Sequence, residues 1–335
     1  MEQKEFKKRL RDRISYKLLV IGILSALCVI GFLFGNGTGT MKISASRILE
    51  VILERDGSPE WTVIWNIRLP RVILASLVGI NLALSGAILQ GVMGNPLADP
   101  GVIGISSGAG LFGIFILIVL PQYQSLVPIA AFFGAMLAST IIYILAWKGG
   151  IQPIRVILAG AAVSAMFGAG ISATLVFYSD RVAGALDFMN GSLSAGSWKD
   201  VKMILPYTLL GLVSALFMSR KMNILILGDD VARGLGLSVE RTRLLFTALA
   251  ALLAASAVSA VGLLGFVGLI VPHTVRLLIG NDYKYMLPAS ALLGAALVML
   301  SDTFARTVMS PMEIPVGVVM AILGAPFFLY LLRKG

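Results

Sequence analysis

Long apolar runs alternate along this chain with short connections that hold most of the charge. Runs can be drawn at 17–35, 69–92, 101–120, 126–147, 154–178, 201–219, 244–261, 263–280, 285–303 and 316–333. Each is close to the roughly 20 residues a helix needs to cross a hydrocarbon core. The pattern predicts an all-α polytopic membrane protein of about ten transmembrane helices, a single domain over 1–335. A closed β-barrel would need short strands alternating apolar and polar residues, whereas these runs are long and continuous. Two connections are long enough to carry structure of their own. In ISASRILEVILERDG, Ile48, Leu49, Ile52 and Leu53 have helical spacing and suit a helix on the membrane surface. The stretch VAGALDFMNGSL, between 179 and 200, allows either a short helix or a loop.

Composition agrees with that class. Hydrophobic residues make up 58% and charged residues 13% of 335, beyond what a soluble core can absorb. The 36 glycines suit helices that approach closely in lipid, where packing holds them together. The single cysteine, Cys28, excludes an intrachain disulfide and a cysteine metal cluster. The opening MEQKEFKKRLRDR lacks a clear cleavage pattern ahead of it in FLFGNGTGT, so residues 1–16 are expected to be a leader to a retained first helix.

Charge changes the picture by giving orientation. With ten crossings both termini share a side, and that side collects 18 of the 27 Lys and Arg against 8 of the 17 acidic residues. The opposite side nets zero. The positive-inside rule then puts both termini and the 220–243 loop in the cytoplasm, and Arg68, Arg71 and Arg306 outside. The net charge of +10 is thus explained by topology rather than by nucleic acid.

Chemistry-bearing residues are sparse. His273 is the only histidine, and no carboxylate pair or HExxH array accompanies it, so no catalytic or metal-ligating residue is assigned. The runs are nearly free of charge, which disfavours an ion-coupled carrier; Asp99, Asp302 and Glu313 all fall in or beside connections. Mild polar groups remain inside. Asn81, Ser85, Gln90 and Ser164 are candidates to line a pathway, with Ser106, Ser107 and Ser259, although such groups also bond neighbouring helices. The stretch LGDDVARGLGLSVERTR has Asp229 and Asp230 to open a short helix and Gly234 and Gly236 to close it, either an ordinary solvated loop or a docking knob. No Walker A motif occurs. If ATP drives this protein, another chain binds it. At an offset of 174, Ala83, Ser85, Gly91 and Gly94 meet Ala257, Ser259, Gly265 and Gly268, a match that either chance in so Ala- and Gly-rich a chain or an inverted repeat would leave.

Five segments carry a resemblance to a known family. RLPR at 68–71, SGAILQGVMGNPLADPGVIGISSGAG at 85–110, GDDVARGLG at 228–236, GFVGLIVPHTVRLLIG at 265–280 and EIPVGVVMAILGAPFF at 313–328 resemble the FecCD-type permease subunits of bacterial ATP-binding-cassette importers for iron-siderophore complexes, haem and vitamin B12. The resemblance implies a vitamin B12 importer permease-like fold in the bacterial cytoplasmic membrane. It also implies a second permease subunit, identical or paralogous, a cytoplasmic ATPase that uses the ATP, and an extracytoplasmic binding protein, with no cofactor bound by this chain. Carried over residue by residue, Asp229, Asp230, Val231, Ala232, Arg233, Gly234, Leu235 and Gly236 would couple to the ATPase. Arg68, Arg71 and Arg306 would receive acidic residues of the binding protein. A ferric siderophore is the expected substrate, with vitamin B12 or haem as alternatives.

Overall fold

The computed structural model describes residues 13–39, 41, 43–54, 57–148 and 152–334; the leader therefore lies outside the described residues except at its last positions. Among the described residues the chain is helical, and the elements follow the apolar runs. They are α1 (Ile14–Gly37), α2 (Ala45–Glu54), α3 (Leu69–Met93), α4 (Ile105–Val119), α5 (Val127–Ala146), α6 (Pro153–Phe177), α7 (Trp198–Leu225), α8 (Asp229–Gly234), α9 (Val239–Val261), α10 (Val267–Ile279), α11 (Tyr283–Thr307) and α12 (Val316–Lys334).

Seven of these helices are long and apolar enough to cross a membrane, and α4, α10 and α12 are shorter apolar helices. The ten apolar runs thus correspond, among the described residues, to seven long helices and three shorter ones, and local breaks account for α4 and α10. Gly104, at φ +101°, breaks the 101–120 run into a turn of helix at Pro100–Ile103 and α4. The 263–280 run begins as non-helical chain, so α10 spans only Val267–Ile279. In the other direction α7 outgrows its apolar run, because Ser197 and Asp200 form a reciprocal capping box at its start.

Burial separates the helices into two kinds. α3 is enclosed by α7, α9, α10 and α11, and almost every one of its residues is buried. Close approach makes this possible: a Cβ on Gly79 would strike the backbone at Gly294 in α11, and one on Gly86 the backbone at Gly268 in α10. α1, α6 and α7 instead turn large apolar side chains outward, among them Leu18, Leu158 and Phe217, as lipid or a partner subunit requires.

The approach to α3 is unusual. Ser58 caps a short helix at Pro59–Val63 by accepting from the Trp61 N–H, and the chain continues through a π-turn at Ile64–Arg68 directly into α3. That widened turn brings Trp61 and Trp65 onto one side, where Trp65 packs against Trp198 at the start of α7. The Trp198 indole N–H donates to the Trp65 carbonyl at 2.8 Å. The predicted surface helix is present as α2, with Ile48 and Val51 fully buried against this cluster and Leu49 and Leu53 exposed. Of the two possibilities open for 179–200, the short helix is present, at Leu186–Asn190.

The inverted repeat finds no support in the helix limits. α3 ends at Gly94 in a left-handed conformation, whereas its offset counterpart Gly268 lies in the first turn of α10, after α9 has already ended at Val261.

Candidate functional site

Two charged constellations stand at opposite ends of the helices. The first gathers the three arginines singled out in the sequence. Pro70 sits in the first turn of α3, where its missing N–H costs nothing, and the turn points Arg71 at α11. Arg71 Nε donates to Asp302 Oδ2 at 2.9 Å and Nη2 to Oδ1 at 2.9 Å. Nη1 donates to Glu313 Oε2 at 2.8 Å. The planar guanidinium is thus held on two edges by two carboxylates, Asp302 buried and Glu313 half-exposed. Arg68, buried, donates to the carbonyls of Asn36 at 2.8 Å and Met41 at 2.6 Å. Gly39 gives it room, since a Cβ there would lie 2.7 Å from Nη2. Arg306 donates from Nη2 to the Gly35 carbonyl. All three arginines and Glu313 line one cavity of about 900 Å³ between α1, α3 and α11.

The sequence therefore located the cationic members but missed what holds them. Asp302 and Glu313 had been read as charges in or beside connections, whereas they neutralise Arg71. The hydrogen-bonding fork of Arg71 is thus occupied within the chain. A signal did exist, because an aspartate at the end of an apolar helix is expensive unless paired.

The second constellation is α8 with the start of α9. Gly228 and Gly236, at φ +101° and +81°, flank the helix and let the chain turn in and out of it. Asp229 accepts from Arg243 Nη2 at 2.8 Å and Nη1 at 3.2 Å, and Arg233 Nη2 donates to Glu240 at 2.7 Å. Ala232 is fully buried, while Val231 and Leu235 are more than half exposed. Leu227, in the turn before the helix, is exposed as well, so apolar side chains emerge along the knob. Charges here pin the knob to α9, and its exposed surface mixes these apolar side chains with Asp230 and Arg233. Nearby, Asp282 ties α1, α7 and α11 together through Lys17 at 3.5 Å, the Asn223 amide at 2.8 Å and the Lys284 N–H. Burial opposes its charge, yet these donors outweigh burial and hold the carboxyl below its ordinary pKa.

The candidate pathway residues bond neighbouring helices. Asn81 donates to Ser256 at 3.0 Å and Ser85 to the Ala250 carbonyl at 2.7 Å, both into α9. Gln90 bridges to the Gly268 carbonyl of α10 and accepts from Arg276 at 2.9 Å. All three are buried inside the subunit. Their polar groups hold helices together, and Gln90 also borders a cleft at the α8 end. Half-buried Ser164 of α6 meets Ser107 of α4 at 3.5 Å. No cluster of three or more metal-ligating side chains occurs among the described residues.

Known proteins share this architecture. The model of the FecCD transport family matches residues 27–334. An Fe(3+)-citrate import system permease protein of Bacillus subtilis (strain 168) is 40% identical over 319 residues, covering 94% of this chain and 95% of that one. A cobalamin import system permease protein of Halobacterium salinarum is 43% identical over 281 residues, covering 83% and 75%. A solved structure described as an inward-facing conformation of a metal-chelate type ABC transporter superposes with a TM-score of 0.84 at 29% identity, covering 94% of this chain and 99% of that one. Permeases of this kind are not catalytic, their ATPase residing in a separate subunit, and they function with a binding protein. The chain belongs to the FecCD transport family, the permease subunits of iron-siderophore and haem-type ABC importers.

Proposed function

We propose that this chain forms, with a second permease subunit, the membrane conduit of an ATP-driven importer for a ferric chelate handed over by an extracytoplasmic binding protein. The observation that carries the substrate class is the near full-length likeness to an Fe(3+)-citrate permease. In this reading the three short helices complete ten crossings and both termini are cytoplasmic. The arginine end faces outward and α8 faces the ATPase. Arg306 and Arg68, lining the outer cavity, receive carboxylates of the binding protein, while the Arg71–Asp302–Glu313 cluster fixes the platform on which they stand. The exposed side chains of Leu227, Val231 and Leu235 seat in an apolar groove of the ATPase, and Asp229, Asp230, Ala232, Arg233, Gly234 and Gly236 give the knob its shape.

The absence of a buried uncompensated charge in α3 fits a passage that touches a bulky solute weakly and releases it. The likeness to a cobalamin permease supports a second reading, with a corrinoid as cargo. Proteoliposomes holding this subunit with its ATPase and binding protein decide between them. ATP should drive uptake of radiolabelled ferric citrate or ferric hydroxamate, and neither haem nor cobalamin should compete. Uptake driven by an ion gradient without ATP would refute the importer reading, and preferential cobalamin uptake would replace the ferric cargo.

A further inference from the structure

Arg276 differs from the arginines of the opposite end, whose shared cavity also holds Glu313. It closes the last turn of α10 and is steadied by the Gln90 amide oxygen, and no carboxylate pairs with it among the described residues. It opens into a cleft of about 460 Å³ at the α8 end, bounded by the turn after α3, Gly228 before α8, Arg243, Asn281 and Tyr283. None of the described residues lining that cleft is acidic. An arginine in a half-buried cleft is costly without an anion beside it. A group that accepts several N–H donors at once, as a phosphate does, meets the forked guanidinium best.

A second cavity lies deeper along the same helices. About 380 Å³ in volume, it is lined only by apolar side chains, including Ile80 and Leu84 of α3, Leu212 and Leu216 of α7, and Leu287 and Ala291 of α11. Helical spacing puts both cavities on one seam. Positions 80, 84, 87, 91 and 94 of the α3 segment share a face, as do 212, 216, 219, 223 and 226 of α7, and 283, 287 and 291 of α11. Between the cavities, the Tyr283 ring and Met222 close over Gly91. At 1.5 Å per residue, the separation along α3 between Leu84 and Gly91 is about 10 Å, a distance an acyl chain spans with ease.

We infer that this seam is a binding site for an anionic phospholipid. Its phosphate lies on Arg276 in the polar cleft and one acyl chain lies in the apolar groove. Charge without a counter-charge at the helix ends and an apolar groove beneath it are what a phosphodiester lipid complements on both counts. Since Arg243 also holds Asp229 of α8, the lipid would sit directly against the knob and bias its position. The inference rests on the chain crossing a membrane, and on nothing about its cargo, so its failure leaves the transport reading intact.

The test uses the full-length permease in its assembled complex in detergent, titrated with phosphatidylglycerol, phosphatidylcholine or inorganic phosphate, with thermal stability and native mass spectrometry as readouts. Phosphatidylglycerol should bind saturably and be retained, and phosphatidylcholine and inorganic phosphate should not. Arg276→Gln should weaken that binding about tenfold, with Arg276→Lys recovering part of it. Leu216→Trp, at the exposed edge of the groove, should weaken lipid retention by a similar factor without touching the arginine. Equal retention of both lipids would overturn the proposal, as would tight binding of inorganic phosphate alone that Leu216→Trp leaves unchanged. Release of the ATPase subunit by Arg276→Gln with phosphatidylglycerol retention unaltered would overturn it too, assigning the cleft to a partner carboxylate. Loss of phosphatidylglycerol retention in a second copy's favour, read as a tighter permease pair, would likewise assign the groove to the partner subunit.

Discussion

The two ends of the subunit use the same chemistry in opposite ways. At the arginine end, Arg71 and Asp302 are both nearly enclosed, and their pairing is a condition of burial. At the α8 end, Arg233 and Glu240 pair at 2.7 Å with both partners well exposed, and Val231 and Leu235 are exposed beside them. Where the chain is packed, ion pairs hold structure; where it is open, they only arrange a surface, and the surface is what a partner would read. Comparable distances therefore imply very different energies.

That contrast can be broken first where it is strongest. Asp302→Ala leaves a buried guanidinium on its remaining half-exposed partner, and should cost about 3–5 kcal/mol, seen as loss of monodisperse protein on heating in detergent. The paired replacement Arg71→Met with Asp302→Leu should recover most of that loss. If it does not, the cluster has a role beyond satisfying its own burial. Glu313→Gln, at the half-exposed edge of the same guanidinium, should cost about 1 kcal/mol.

At the other end the expected effects on stability shrink while those on assembly grow. Asp229→Asn should lower stability by less than about 1 kcal/mol and loosen α8 from Arg243, read as faster backbone hydrogen exchange in residues 229–236. Val231→Asp with Leu235→Asp should leave the melting of the isolated subunit unchanged yet prevent co-purification of the ATPase. Retention of the ATPase would remove these apolar side chains from the proposed interface. The smallest effect concerns pH. Because the folded state holds Asp282 below the ordinary carboxylate pKa, its contribution is present above about pH 4 and fades as pH falls through the depressed value. Asp282→Asn should abolish that acid sensitivity and little else.

The helices were legible because lipid imposes a simple demand: long apolar stretches with charge at their ends. All the runs correspond to helices in the fold, and α2 was visible from the spacing of Ile48 and Ile52. What escaped was set by backbone events that hydropathy does not register. Gly104 splits a run by adopting a left-handed conformation, and the chain at 262–266 leaves the helix although its residues stay apolar. The polar residues of α3 stayed ambiguous for a related reason. Periodicity shows that Asn81, Ser85 and Gln90 are inside something, but not whether the enclosing helices belong to the same subunit. Partnerships across long separations, such as Arg71 with Asp302, need the fold before they can be seen, whereas the α8 loop was readable because its charges and glycines lie within a few residues of one another.

The π-turn at Ile64–Arg68 has a consequence for how this region tolerates length changes. Such a turn holds one residue more than an ordinary helical turn, so it absorbs one residue between the tryptophan cluster and α3. Deleting a single residue from it would give an ordinary turn and leave the segments on either side nearly in phase. Trp61 would keep its side of the helix, and Arg71, beyond the turn, its grip on Asp302. The turn thus buffers the arginine end against a length change of one residue. A single-residue deletion within 64–67 should be tolerated where the same deletion inside α3 would not.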